Sequence, residues 1–355
     1  MKKHYAAKKA AAPKAASQPA KKKLCSQPQT IIQTFAPGTS EARAGFILSN
    51  NKKWVNGTDI KYLFLEGAKA QCDVVRQSFK DWKALGIGLT FTEVTNVEES
   101  MVRIGFDQTD GSWSYVGRDV LSIAKPNRTM NFGWDLTTTY GKTTALHEIG
   151  HTLGFQHEHQ SPFAGISWDT NAVITEFSGP PNNWPVNQIQ SNILNKLSAS
   201  GLNGSQWDPA SIMEYEFGPG LILAPAPYQQ GLFPPGVLSP QDIAGVRSVY
   251  PPIRSATITK LKVLQSVPIA APSGGQANFT FTPALSRKYT IQTFGTLDTV
   301  MVVSEQIRNQ SVYMAGDDDS GTALNARITL PLVKGRTYLV NVRILFSPVK
   351  TRAVL

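Results

Sequence analysis

The stretch Thr143–His159 reads T-T-A-L-H-E-I-G-H-T-L-G-F-Q-H-E-H and holds four of the chain's five histidines (His147, His151, His157 and His159). The fifth, His4, sits in the N-terminal tail. Neutral imidazole is the commonest zinc ligand, so this crowding in a histidine-poor chain points to a metal. His147 and His151 are four residues apart and share one face of a helix, within reach of a single ion. Glu148 follows the first histidine directly, which places a carboxylate beside the ion, where it can take a proton from a bound water. Gly154 tolerates positive φ and turns the chain back, so that His157 supplies a third ligand and leaves a fourth position open. The same histidines could be ordinary helix residues. The glycine and third histidine at fixed offsets make that the weaker reading. His159 is left as a neighbour of the ligands or a surface group.

The rest of the chain fits a secondary-structure frame around this helix. A length of 355 residues exceeds one core and suggests two domains plus a tail. Hydrophobic residues make up 41% of the chain, and no run is long enough to cross a bilayer. The net charge of +10 is concentrated: residues 1–23 carry eight lysines and no acid, which leaves a net +2 for the remainder. Residues 1–40 are read as a disordered basic tail or pro-segment. Such a tail offers a weak chance of nucleic-acid binding, and no other part of the chain suggests it. The tail lacks an apolar core of the kind a secretory signal needs. The two cysteines, Cys25 and Cys72, allow one disulfide in an oxidising compartment, or leave Cys25 free as a thiolate that plugs the metal in a latent form.

Alternation predicts strands at Asp59–Leu65, Leu89–Val94, Met101–Phe106 and Thr129–Trp134, and the apolar stripe of Ala68–Leu85 predicts a helix ended by Gly86. Further helices are expected at Val186–Leu197 and Leu238–Tyr250. Residues 41–252 thus read as an α+β domain with a mixed sheet, and 253–355 as a small all-β sandwich with strands at Tyr289–Phe294, Thr299–Ser304, Arg327–Leu332 and Thr337–Arg343. Asp317, Asp318 and Asp319 in its acidic turn are candidate calcium ligands, or simply a solvated turn.

The signature H-E-x-x-H-x-x-G-x-x-H, followed by Ser211-Ile212-Met213-Glu214-Tyr215, resembles the metzincin clan of zinc endopeptidases. Phe155 and Glu158, with Gly111–Gly117 and Thr129–Trp134, are similar to microbial members of the astacin family. The C-terminal part resembles the domains appended to many bacterial secreted peptidases. The resemblance implies a zincin fold and one catalytic Zn2+ on His147, His151 and His157. It further implies Glu148 as general base, Met213 as packing under the metal, and Tyr215 as a hydrogen-bond donor to the carbonyl under attack. It also implies that Glu158 meets a matured N-terminus and that an edge strand at Thr129–Trp134 pairs with extended substrate. Glu214 stands where the family usually has histidine, and the family's four-cysteine frame is missing.

The expected activity is a secreted, monomeric zinc endopeptidase acting on protein or peptide substrates. The alternatives are a catalytically weak zinc-binding adhesion protein and a zinc hydrolase of a non-protein amide such as a cell-wall crosslink.

Overall fold

A computed structural model describes residues 22–28, 52–54, 56–197, 207–252, 258–269, 275–307, 310–317, 319–346 and 353–354. The tail expectation therefore falls outside the described residues, apart from 22–28.

The first sheet has the order β2-β1-β3-β5-β4, built from β1 (Asp59–Phe64), β2 (Thr90–Glu93), β3 (Val102–Gly105), β4 (Trp113–Ser114) and β5 (Met130–Asn131). β1 pairs in parallel with β2 and β3, β3 pairs in parallel with β5, and β4 alone runs antiparallel. The sheet is mixed, as alternation and the signature together suggested. One expectation is corrected. Met130–Asn131 is an interior strand bonded on both sides, and the edge belongs to Trp113–Ser114. Two residues are too few for alternation to register, so no sequence pattern marked that edge.

Helix α1 (Lys69–Ala84) crosses between β1 and β2. Its spacing puts Cys72, Val75, Phe79 and Trp82 on one buried face. On its outer face Arg76 forms a two-pronged bridge to Glu93 of β2, with both contacts at 2.7 Å. Helix α2 (Thr139–Thr152) packs against α1, contributing Ala145 and Ile149 to a shared core with Ile60, Ile104 and Trp82. Trp82 Nε1 also donates to Leu146 O at 3.1 Å, locking the two helices in register.

Beyond the zinc-type signature come β6 (Ser167–Trp168), α3 (Thr170–Ser178), α4 (Val186–Ile189, continued by a π-turn over Gln190–Leu194), β7 (Ile222–Ala224) and α5 (Pro240–Val249). They enclose a second apolar cluster around Val173, Phe177, Ile189 and Phe217. Helix α3 was not anticipated. It starts at Asp169, whose carboxylate accepts Ala172 N at 3.0 Å.

Among the described residues of the C-terminal region, the regular elements are strands. β8 (Thr259–Lys260), β10 (Gln276–Phe281), β12 (Asp298–Ile307), β13 (Gln310–Asp317) and β15 (Tyr338–Phe346) form one sheet, in the order β13-β12-β15-β10-β8. β11 (Arg287–Gln292) pairs with β14 (Arg327–Leu332), and β9 (Pro268–Ile269) pairs with β16 (Ala353–Val354). Strand β14 alternates exposed and buried residues along its length, the signature of one face on a core. Strands β10 and β13 escaped the sequence reading.

Gly141, in the first turn of α2, lies against the preceding loop so closely that a Cβ there would sit 2.2 Å from Asp135 O and 2.4 Å from Leu136 Cα. Both obstacles are backbone and cannot swing aside. Gly141→Ala is expected to cost about 2–3 kcal/mol despite alanine's better helix propensity. Urea unfolding should show a lower midpoint with an unchanged slope.

Candidate metal centre and active site

Helix α2 carries His147 and His151 one turn apart, both buried. Thr138 caps its start by accepting Gly141 N at 2.9 Å. Its end is a two-bond glycine stop: Gly154, at φ +94°, donates to His151 O at 2.8 Å, and Phe155 N donates to Gly150 O at 3.1 Å. That stop reverses the chain and brings His157 back beside the helix.

The three imidazoles converge. His147 Nε2 lies 3.1 Å from His151 Nε2, which lies 3.0 Å from His157 Nε2. The outer nitrogens fix the tautomers. His147 Nδ1 donates to Ile212 O and His151 Nδ1 to Phe155 O, each at 2.8 Å. A carbonyl can only accept, so each Nδ1 must carry the proton and each Nε2 must present a lone pair. Burial pushes His147 down to about 4 and holds His151 and His157 well below the ordinary imidazole value, so all three rings are neutral near pH 7. Two lone pairs facing each other at 3.1 Å repel unless a cation lies between them. The donor set therefore fits a zinc ion.

Glu148 is fully buried, and neither carboxylate oxygen has a hydrogen-bond partner among the described residues. Burial holds its pKa well above the usual carboxylate range, countered only in part by the Cys25 thiol. The Tyr215 ring packs at a tilt against His157, with ring centroids 4.3 Å apart. Met213 Sδ fills the space a side chain at Gly150 would need, so the methionine packs directly on α2. His159 lies outside the convergence: its Nε2 donates to Asn192 O at 2.9 Å, and its Nδ1 is 3.3 Å from Glu214 Oε1. Glu214 also accepts Trp207 Nε1 at 2.8 Å and Tyr215 N at 2.8 Å, which gives the residue at the family's histidine position a structural task. Glu158 accepts Asp208 N at 3.0 Å, and burial raises it to about 7.

Cys25 joins the cluster. Its Sγ is 3.1 Å from His147 Nε2 and 3.7 Å from His157 Nε2, and the four donor atoms all lie within 4.8 Å of one another. Of the two readings the cysteines allowed, the disulfide is excluded: Cys25 and Cys72 are both free, with Cys72 buried on α1. Residues 22–28 run through the cleft, and Ser26 N donates to Ser112 O at 2.9 Å beside the edge strand. The only sequence signal for this was a lone Leu24-Cys25 pair at the end of a lysine-rich tail.

Sequence reasoning also missed Asp242. It accepts Ser211 Oγ at 2.7 Å, Ile212 N at 2.8 Å and Ser239 N at 2.8 Å, tying the methionine turn to the start of α5. Ile212 is the residue whose carbonyl fixes the His147 tautomer. The Ser239-x-x-Asp242 capping box was the available clue. Asp242→Ala is expected to cost about 2–4 kcal/mol, because three donors lose their acceptor. It should also weaken zinc binding about 10–100-fold, measured by competition with a chelator.

The Astacin peptidase family matches residues 46–217. Among solved structures the chain is similar to myroilysin, at 34% identity over 57% of this chain and 96% of that one, with a TM-score of 0.52. It also matches High choriolytic enzyme 1, a hatching enzyme zinc-protease from Oryzias latipes (Medaka fish), at 20% identity over 55% of this chain and 90% of that one (TM-score 0.36). A third match is the pre-peptidase C-terminal domain of a collagenase from Bacillus anthracis, at 13% identity over 29% of this chain and 95% of that one (TM-score 0.23). A search of curated protein sequences returns no match. At 34% identity to myroilysin over nearly that protein's full length, the chain belongs to the astacin family of zinc metalloendopeptidases.

Proposed function

We propose that His147, His151 and His157 hold the catalytic zinc, that Glu148 is the general base and Tyr215 the carbonyl-oxygen donor, and that the substrates are extended protein or peptide chains. The observation that carries this is the inward pair of Nε2 lone pairs on His147 and His151, enforced by Nδ1 bonds to Ile212 O and Phe155 O. A zinc ion held there would supply Lewis-acid polarisation of the scissile carbonyl and would lower a water's pKa toward about 7.

Glu148 then has one task at two moments. Its unpartnered carboxylate takes the attacking water's proton and delivers it to the leaving amine nitrogen. Tyr215 supports the carbonyl oxygen as negative charge develops on it. The geometry for this is rehearsed by the chain itself, because Tyr215 Oη donates to the backbone carbonyl of Cys25 at 2.7 Å. Substrate lies along Ser112–Ser114, at the free edge of the sheet, in the position now taken by residues 22–28.

The same contacts support a latent state. Cys25 Sγ takes the fourth donor position around the cluster, and burial beside Glu148 pushes its thiol pKa well up. Residues 22–28 then close the cleft until they are displaced. An extracellular place of action fits a hydrolase held shut by its own segment, and no described helix is long and apolar enough to cross a membrane. Calcium at the acidic turn gains no support. Asp317 already accepts Ser320 N at 3.1 Å and Arg327 N at 2.7 Å, and Asp318 lies outside the described residues. A binding protein that had lost its activity would have no need of a buried, unpartnered Glu148.

Glu148→Gln is expected to lower kcat on casein by about 10²–10⁴-fold while one zinc per chain is retained. A Glu148→Gln protein as active as the unaltered enzyme would end the proposal, and cleavage of cell wall with casein left intact would redirect it to the non-protein amide. Tyr215→Phe is expected to lower kcat by about 10²-fold with KM little changed, seen in steady-state kinetics on one peptide. Cys25→Ala in the full chain should give casein hydrolysis without prior removal of the N-terminal segment, and equal latency of the two proteins would exclude the thiol plug.

A further inference from the structure

The segment Lys22–Pro28 is held in the cleft in two distinct ways. Its backbone is bonded along its length. Tyr140 Oη donates to Lys23 O at 2.6 Å, Leu24 N to Asn182 Oδ1 at 2.8 Å, Ser26 N to Ser112 O at 2.9 Å, and Gln27 N to Asn192 Oδ1 at 2.6 Å. Those bonds would serve any extended peptide, whatever its side chains. Lys22 is held differently. Its Nζ lies 2.5 Å from Glu216 Oε1 and 4.9 Å from the centre of the Tyr140 ring, contacts that only a cation satisfies on both sides.

Glu216 and Tyr140 belong to the enzyme's permanent wall. Glu216 follows Tyr215 directly, and Tyr140 lies in the first turn of α2. Both line a cavity of about 400 Å³ that also includes Leu24, Cys25, His147 and Tyr215. The Glu216 side chain is only 26% exposed, so it is not one more solvated surface acid. Among the described residues Lys22 is its ion-pair partner, and displacement of the segment leaves the carboxylate facing the open cleft.

The geometry points to Glu216 and Tyr140 as a subsite that selects a lysine or arginine side chain of the substrate, three residues along the chain from the residue lying over the histidines. The inference rests on the proposal that this cleft binds extended substrate, and adds to it the class of side chain one wall of the cleft prefers. The pair is partly solvated, so its contribution is modest. A lysine should be favoured over an uncharged residue of similar length by about three- to tenfold, and over glutamate by more.

Two arms test it. In the zinc-loaded full chain, the rate of Cys25 alkylation by iodoacetamide, read on its own peptide by mass spectrometry, reports how firmly the segment is seated. Lys22→Glu and Glu216→Lys should each raise that rate by about three- to tenfold, and the double swap should bring it back toward the starting value. A double variant as reactive as the worse single one overturns the pairing. In the second arm, full chain carrying Cys25→Ala digests a peptide library, and the cut sites are read by mass spectrometry. Lysine and arginine should be enriched at one fixed distance from the cut bond, and adding Glu216→Lys should turn that enrichment to acidic residues. Cleavage with no cationic enrichment, or enrichment indifferent to Glu216→Lys, overturns the subsite and leaves the peptidase proposal standing. A zinc-loaded protein that cuts nothing overturns both.

Discussion

Two hydrogen bonds decide the chemistry of this chain: His147 Nδ1 to Ile212 O and His151 Nδ1 to Phe155 O. Each is worth only about 1 kcal/mol as a bond. Their consequence is larger, because they remove the choice of tautomer and leave lone pairs crowded at one point. The two carbonyls reach the site by different routes. Phe155 is placed by the glycine stop at the end of α2, whereas Ile212 is placed by a turn sixty-five residues away from His147. Much of the second half of the domain serves that delivery. Asp242 holds Ser211 and Ile212 to the start of α5, and Glu158 N donates to Met213 O at 3.0 Å, joining the third histidine's loop to the same turn.

The parts of this arrangement legible in the sequence are those set by local periodicity. Helical spacing placed His147 and His151 on one face, and a single residue type, the glycine at 154, announced the reversal that returns His157. The apolar stripe of Ala68–Leu85 matches α1 to within a residue at each end, and the helix expected at Leu238–Tyr250 is α5, one to two residues shorter at each end. What stayed hidden is set by partners distant in sequence. Strand β4 is two residues long and exists because Met130–Asn131 lies beside it, so no pattern within Trp113–Ser114 could reveal it. The role of Asp242 depends on a turn thirty residues earlier. Glu214 breaks the expected signature, and only its contacts with Trp207 and His159 account for it.

The N-terminal segment illustrates the same divide. Composition argues that a tail of lysine, alanine and proline cannot build a core of its own. It does not exclude such a tail from completing someone else's surface. Residues 22–28 lie in a groove of the folded domain, where Leu24 and Cys25 are buried and where the sheet's free edge supplies a bonding partner. An exposed edge is a liability in any sheet, and a segment that covers it also removes that liability.

These points join in the demands that one groove places on two occupants. A groove that reads backbone through Tyr140, Asn182, Ser112 and Asn192 accepts many sequences, which suits a peptidase but gives its own segment no advantage over other chains. The segment gains that advantage in two ways. It is tethered, so its effective concentration is far above that of any free peptide. It also carries a thiol where a substrate would place only a carbonyl, and Cys25 supplies both: its carbonyl accepts the Tyr215 bond, and its Sγ stands among the imidazole nitrogens. A substrate offers the first contact without the second. On the proposed latent state, that one residue is what would let the groove tell the segment from a substrate while binding both by the same backbone geometry.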